Sequence, residues 1–287
     1  MEISIASRNV SASFIAFGAE LRSMAVNGQD YLWTADSAVW NNVAPILFPI
    51  VGGLRNDSYT HDGRLYSMQK HGFARRSEFS VIRQEADNAA FRLTANDSTR
   101  NQYPFEFVLD VSFSIPADST LRCDYAVRNA GNRPMPFVIG SHPAVKVPFA
   151  GGSYRDYRIQ FETKEELNRY SAVGILLSDE PTHRLGLGDE IDLDDMMFEN
   201  DAWVFKNIRS RHVSVVHKGS GRRVTMDTGG APHIGFWAKT KAAYVCLEPW
   251  YGYNDPVSTD GVLAHKDGMT LLQPGKEWKT YYSLTVS

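Results

Sequence analysis

Two polar residues stand where an apolar strand pattern stops. His142 closes the run Met135-Pro-Phe-Val-Ile-Gly-Ser and is followed by Pro143. Glu248 follows Tyr244-Val-Cys-Leu and precedes Pro249-Trp250. Proline after His142 biases that residue toward extended backbone. An imidazole titrates near neutrality, so a small environmental push makes it an acid or a base. A carboxylate among apolar neighbours has a raised pKa unless a cation offsets the loss of water. Brought together, the two would form an acid–base pair. Taken singly, each also reads as structural: a histidine bonded to backbone, or a glutamate paired with an arginine. Three further groups interrupt apolar runs in the same way: Arg55, the cluster His71-Gly-Phe-Ala-Arg75, and Asp201 in Asn-Asp-Ala-Trp-Val-Phe. Trp250, Tyr251 and Tyr253 add the aromatic surround that suits a sugar cleft, and aromatics are also ordinary core material.

The elements that must position these groups read as strands. Phe105-Glu-Phe-Val-Leu-Asp-Val-Ser-Phe-Ser-Ile and Thr120-Leu-Arg-Cys-Asp-Tyr-Ala-Val alternate apolar and polar residues, as half-buried strands do. Asn27-Gly28 between two alternating runs predicts a hairpin. A turn is expected at His61-Asp-Gly-Arg64. One helical turn is expected between Trp33 and Trp40, another over Lys164-Glu-Glu-Leu-Asn-Arg-Tyr, and a solvated acidic loop from Asp189 to Asp195. No amphipathic pattern of three or more helical turns is present. Many strands with frequent turns predict an all-β fold, a large antiparallel β-sandwich or barrel, with residues 1–287 forming one domain.

Composition excludes several classes. The chain has 287 residues, 43% hydrophobic and 22% charged, with a net charge of −3. That length can bury a full core without metal or disulfide, and the charge sets up no field for nucleic acid or anionic membrane. The two cysteines, Cys123 and Cys246, form no CxxC pair and are expected as buried free thiols, a disulfide between them being the alternative. His-Glu-x-x-His, Gly-x-x-x-x-Gly-Lys and Gly-x-Ser-x-Gly are all absent. His212 and His217, five residues apart in a strand pattern, point to opposite faces. The first residues lack a signal peptide's basic and apolar regions, and no window is long and apolar enough to span a bilayer. A cytoplasmic location is expected, with no metal, no organic cofactor, no nucleic acid and no membrane partner.

Phe48-Pro-Ile-Val-Gly, His71-Gly-Phe-Ala-Arg, Ser141-His-Pro, Asn200-Asp-Ala and Glu248-Pro-Trp occur in that order. Together they resemble the aldose 1-epimerase (galactose mutarotase-like) family, in its LacX-type branch. The resemblance implies a β-supersandwich with an aldohexose in a cleft. It implies His142 as general acid, Glu248 as general base, and His71 and Asp201 as sugar-binding residues. Related sequences often read Val-Gly-Arg-Leu where this chain has Val51-Gly-Gly-Leu. Arg55 is the candidate for the displaced sugar-binding arginine, and Arg75 is the alternative. The implied reaction interconverts α and β anomers by ring opening and reclosure. Two other readings use the same fold. A hexose-6-phosphate epimerase would gather Arg75, Arg76, Lys146 and Arg155 at the cleft mouth. A non-catalytic carbohydrate-binding protein would need the cleft alone.

Overall fold

The computed structural model describes residues 2–287. Two sheets carry the architecture. One has four strands in sequence order: Glu2–Ala6, Val10–Ile15, Glu20–Val26 and Gln29–Asp30. The other has fifteen and is antiparallel. Its path places Gly140–Ser141 beside Tyr244–Trp250, then His233–Trp237, Trp203–Lys206 and Tyr157–Tyr170. It ends on the hairpin strands Thr120–Asn129, Phe107–Ala117, Asn88–Thr94 and Ser80–Gln84.

Alternation builds the half-buried end of this sheet. Leu109, Val111 and Phe113 face Val127, Tyr125 and Cys123 across one ladder, and all six are buried. The small sheet packs on that face: Phe14 stacks on Phe113 with ring centroids 4.3 Å apart. Apolar residues of both sheets belong to one continuous core. The strand Tyr244–Trp250 differs, since all seven of its residues are buried. It lies covered on both faces, so any polar side chain on it is held away from bulk water.

The hairpins at Asn27-Gly28 and at Asp62-Gly63 form as expected. The α-helix among the described residues is a single short one, Asp97–Gln102, capped by Asn96. Three local expectations are corrected. Lys164–Tyr170 is the second half of the strand Tyr157–Tyr170 rather than a helical turn. Its helix-favouring residues are overruled by tertiary bonds: buried Glu165 accepts hydrogen bonds from the Ser210 amide at 2.6 Å and the Ser210 hydroxyl at 2.7 Å. Of the expected loop, Asp189–Asp192 is strand, its residues Glu190–Asp192 pairing with Arg158–Gln160, and only 193–195 lie outside it. Ion pairs from Glu190 to Arg158 (3.0 Å) and from Asp192 to Lys218 (2.8 Å) offset its charge. Between Trp33 and Trp40 the chain makes a non-helical turn, closed by a bridge between Asp36 and Trp40. Its polar groups are tied by the Trp33 indole, which donates to the Trp40 carbonyl.

Candidate active site

Sheet register brings His142 and Glu248 together. Gly140 pairs with Trp250 and Ala144 with Cys246, so the antiparallel count sets position 142 opposite position 248. The ladder opens there because Pro143 has no amide to donate, while its carbonyl still accepts from the Leu247 amide at 3.0 Å. On the other side of Glu248 the register partner is Gly235, whose missing side chain leaves room for the Trp250 ring, 3.0 Å from where a Cβ would lie. A cavity of about 190 Å³ has His142 and Glu248 in its lining.

His142 Nε2 lies 3.1 Å from Glu248 Oε2. The contact is out of line, and neither carboxylate oxygen has a hydrogen-bond partner. Glu248 is 1% exposed and His142 8%. Burial pushes the Glu248 carboxyl well above its usual range, with Lys70 and Arg75 opposing and Asp201 reinforcing the shift. Burial pushes His142 down to about 3, with Arg75 and Lys70 adding to the effect. Both shifts disfavour separated charge and favour one proton on the pair, carried as a carboxylic acid beside a neutral imidazole. Such a pair can take a proton from one oxygen of a ligand and give one to another.

His71 is fixed beside this pair by a two-way clasp. Its amide donates to the Gly52 carbonyl at 2.8 Å, and its Nδ1 accepts from the Gly52 amide at 3.1 Å. His71 sits at φ +70°, and Gly72 after it has the same φ. A side chain at position 72 would meet the Phe48 carbonyl oxygen at 2.2 Å. Burial, then the cation of Lys70, hold His71 neutral. With Nδ1 accepting, its proton is on Nε2, and His71 offers the cavity a donor.

Aromatic rings close the floor and sides. Trp40 and Trp237 lie 5.2 and 5.6 Å from the His142 ring, centroid to centroid, and His71 meets the same ring edge-on at 5.9 Å. Asp201, at φ +78°, joins the lining with its carboxylate 3.8 Å from Lys70 Nζ. Arg75 also lines the cavity. Arg55 does not: it is exposed and its guanidinium donates to the Val257 carbonyl. Of the cations weighed for a phosphate, Arg75 alone reaches the cavity. Arg155 is exposed and paired with Asp194 and Asp195, and Arg76 is bound to Gln69. Of the aromatic trio after Glu248, Trp250 lines the cavity, whereas Tyr253 donates to Asp267 and Tyr251 bonds the Gly229 carbonyl.

Trp40, Trp237, Lys70 and Asn254 line the cavity without having been singled out from sequence. Lys70 was findable, as the neighbour of His71. Trp40 carries no local signal, because only the closed turn from Asp36 places its ring over His142. Cys246 stands two residues before Glu248 on the same strand face, and the donor atoms of His142, Cys246 and Glu248 lie within 4.8 Å of one another. Burial holds the Cys246 thiol well above its ordinary pKa.

Comparison with known proteins identifies the family and the fold. The family model described as aldose 1-epimerase matches residues 1–285. This chain belongs to the aldose 1-epimerase family. The plasmid-encoded protein LacX of Lactococcus lactis is 30% identical over 298 residues, which is 100% of this chain and 99% of LacX. A galactose mutarotase related enzyme from Lactobacillus acidophilus superposes with a TM-score of 0.93 at 31% identity, covering 100% of this chain and 97% of that one. A galactose mutarotase-like protein from Lactobacillus casei gives 0.89 at 27%, with both chains fully covered. The fold is the galactose mutarotase-like β-sandwich, and the family is one of sugar epimerases. No helix among the described residues is long and apolar enough to cross a membrane.

Proposed function

We propose that the protein is an aldose 1-epimerase acting on a free aldohexose, with Glu248 as base and His142 as acid. One observation carries the proposal: the buried pair, 3.1 Å apart and bearing unpartnered oxygens, lines a cavity. Entry of the sugar gives those oxygens a hydroxyl to accept from. A hydroxyl donated to Glu248, together with the nearby cations Lys70 and Arg75, favours its carboxylate form. The proton passes to His142, where attraction to that carboxylate offsets the opposition of the same two cations. Glu248 then takes the proton of the anomeric hydroxyl. The bond from C1 to the ring oxygen breaks, a carbonyl forms at C1, and His142 delivers its proton to the ring oxygen. After rotation about C1–C2 the steps reverse on the other face. His71 donates from Nε2 to a sugar oxygen, and Asp201 and Arg75 bind further hydroxyls. No step uses a cofactor.

Arg76 and Arg155 lie away from the cavity, and of the two cations lining it Lys70 is already paired with Asp201, which leaves Arg75 for a sugar hydroxyl in this reading. The unpaired thiols Cys123 and Cys246 are consistent with a reducing, cytoplasmic location. Polarimetry of freshly dissolved α-glucose, α-galactose and α-glucose 6-phosphate tests the function, with wild type beside Glu248→Gln. Rapid equilibration of a free hexose by wild type alone is the expected result. Acceleration of the phosphorylated sugar only would move the substrate class. Binding without acceleration of any of them would reduce the protein to a carbohydrate-binding one.

A further inference from the structure

Lys266 is buried, with its side chain 2% exposed, and it touches no part of the cavity. Its ammonium lies 2.9 Å from Asp255 Oδ1, whose side chain is 3% exposed, and it also donates to the Tyr253 carbonyl. Removing two such charges from water is costly, and an apolar pair of the same size would serve stability as well or better. The geometry around Asp255 shows what the pair holds instead.

Three parts of the site meet at Asn254-Asp255: the turn that clasps His71, a hairpin that lines the cavity, and Asn254 itself. The Asp255 amide donates to the Gly53 carbonyl at 2.9 Å, and Asp255 Oδ2 accepts from the Arg55 amide at 3.3 Å. These bonds grip the turn 52–55, and Gly52 in that turn clasps His71. A Cβ at Gly52 would lie 2.3 Å from Asn254 Oδ1, so the two segments are in direct contact. The Asp255 carbonyl accepts from the Leu177 amide at 2.9 Å, and Asn254 Nδ2 donates to the Ile175 carbonyl at 2.8 Å. These bonds hold the hairpin of Ala172–Val173 and Leu176–Leu177, whose Ala172 and Leu177 line the cavity. Asn254 is the third part.

We infer that Lys266 is a positioning residue for sugar binding, acting through Asp255 to fix the turn that orients His71 and the hairpin that walls the cavity. The inference rests on the proposed sugar site, and it assigns to a buried lysine outside that site the placing of its donor. The chemistry at His142 and Glu248 is built on sheet register and does not depend on this loop. Loosening the pair therefore raises KM and spares kcat.

The test uses Lys266→Met/Asp255→Asn, which removes both charges together, and, if the double variant does not fold, Lys266→Gln, which removes the cation but keeps a donor toward Asp255 and leaves the bond from the Arg55 amide in place. Expected in the folded variant is a KM, and a hexose Kd by calorimetry, about tenfold higher, the loss of roughly one positioned hydrogen bond, with kcat within about twofold. Nitrogen NMR of histidine-labelled protein reads His71 directly: wild type shows a bare Nδ1 and a protonated Nε2, and the variant shows an averaged imidazole. A variant with a lower melting temperature but wild-type KM, Kd and His71 signals overturns the inference and leaves the pair a stabilising contact only. Should wild type bind hexose without accelerating mutarotation, the epimerase reading fails, while Kd and the His71 signals still decide the role of Lys266.

Discussion

His142, in the break between the strands Gly140–Ser141 and Ala144–Lys146, faces Glu248 on the strand they both pair with, the nearest atoms 3.1 Å apart and off the axis of a good hydrogen bond. The misalignment matters because a well-made bond between them would have to be broken before a sugar oxygen could enter. The pair is close enough to share a proton and loose enough to accept a third party.

Loss of either partner should remove most of the rate. Glu248→Gln and His142→Asn are each expected to lower kcat by roughly 10²- to 10⁴-fold, the usual worth of a positioned acid or base. Circular dichroism should show both folded. Near wild-type turnover in either variant, on a sugar the wild type epimerises, would sink the assignment.

The pH profile should be broad. His142 is pushed down to about 3 and Glu248 well up, in both cases chiefly by burial. The one-proton state is lost on the acid side only when His142 gains a second proton, and on the alkaline side only when Glu248 gives up its own. Unshifted groups would confine that state to roughly pH 4.3–6.5. Measured kcat/KM is expected to stay flat across and beyond that interval. A bell confined to the interval would show that the two groups titrate independently.

Arg75 and Arg55 should separate cleanly. Arg75 lines the cavity and Arg55 is turned to the Val257 carbonyl. Arg75→Gln is expected to raise KM about tenfold, and Arg55→Gln to leave it within about twofold, given what one charged hydrogen bond contributes. The reverse order would restore Arg55 as the sugar-binding arginine.

Gly72→Ala should destabilise the protein. The backbone there has φ +70°, and the new methyl group would press on the Phe48 carbonyl at 2.2 Å, which is backbone and cannot swing away. Left-handed strain alone costs about 1–3 kcal/mol. The urea midpoint is expected to fall with an unchanged slope. A midpoint equal to wild type would mean that the turn relaxes freely.

Alternation in Phe107–Ala117 and Thr120–Asn129 made the antiparallel fold legible, because each of those strands buries one face. His142 and Glu248 stood out locally, as polar residues ending apolar runs. Their opposition did not, since it depends on pairing Gly140 with Trp250, a contact that no local pattern encodes. Lys164–Tyr170 misled because its local preference for helix is overruled by Ser210, some forty positions on. Arg55 drew attention by its nearness in sequence to the departed Val-Gly-Arg pattern. The cavity instead takes Arg75, which the short turn Ala74–Arg76 places there.

The register that sets position 142 against position 248 has one more implication. Spacing between adjacent strands is among the least adjustable lengths in a protein, about 4.5–5.5 Å between facing residues. The reactive pair is thus gauged by the sheet, whereas the groups that would recognise a sugar hang from turns and a hairpin. Sequence drift in those connections can retune which sugar fits while the proton-transfer distance stays fixed, so the scaffold separates choice of substrate from the act performed on it.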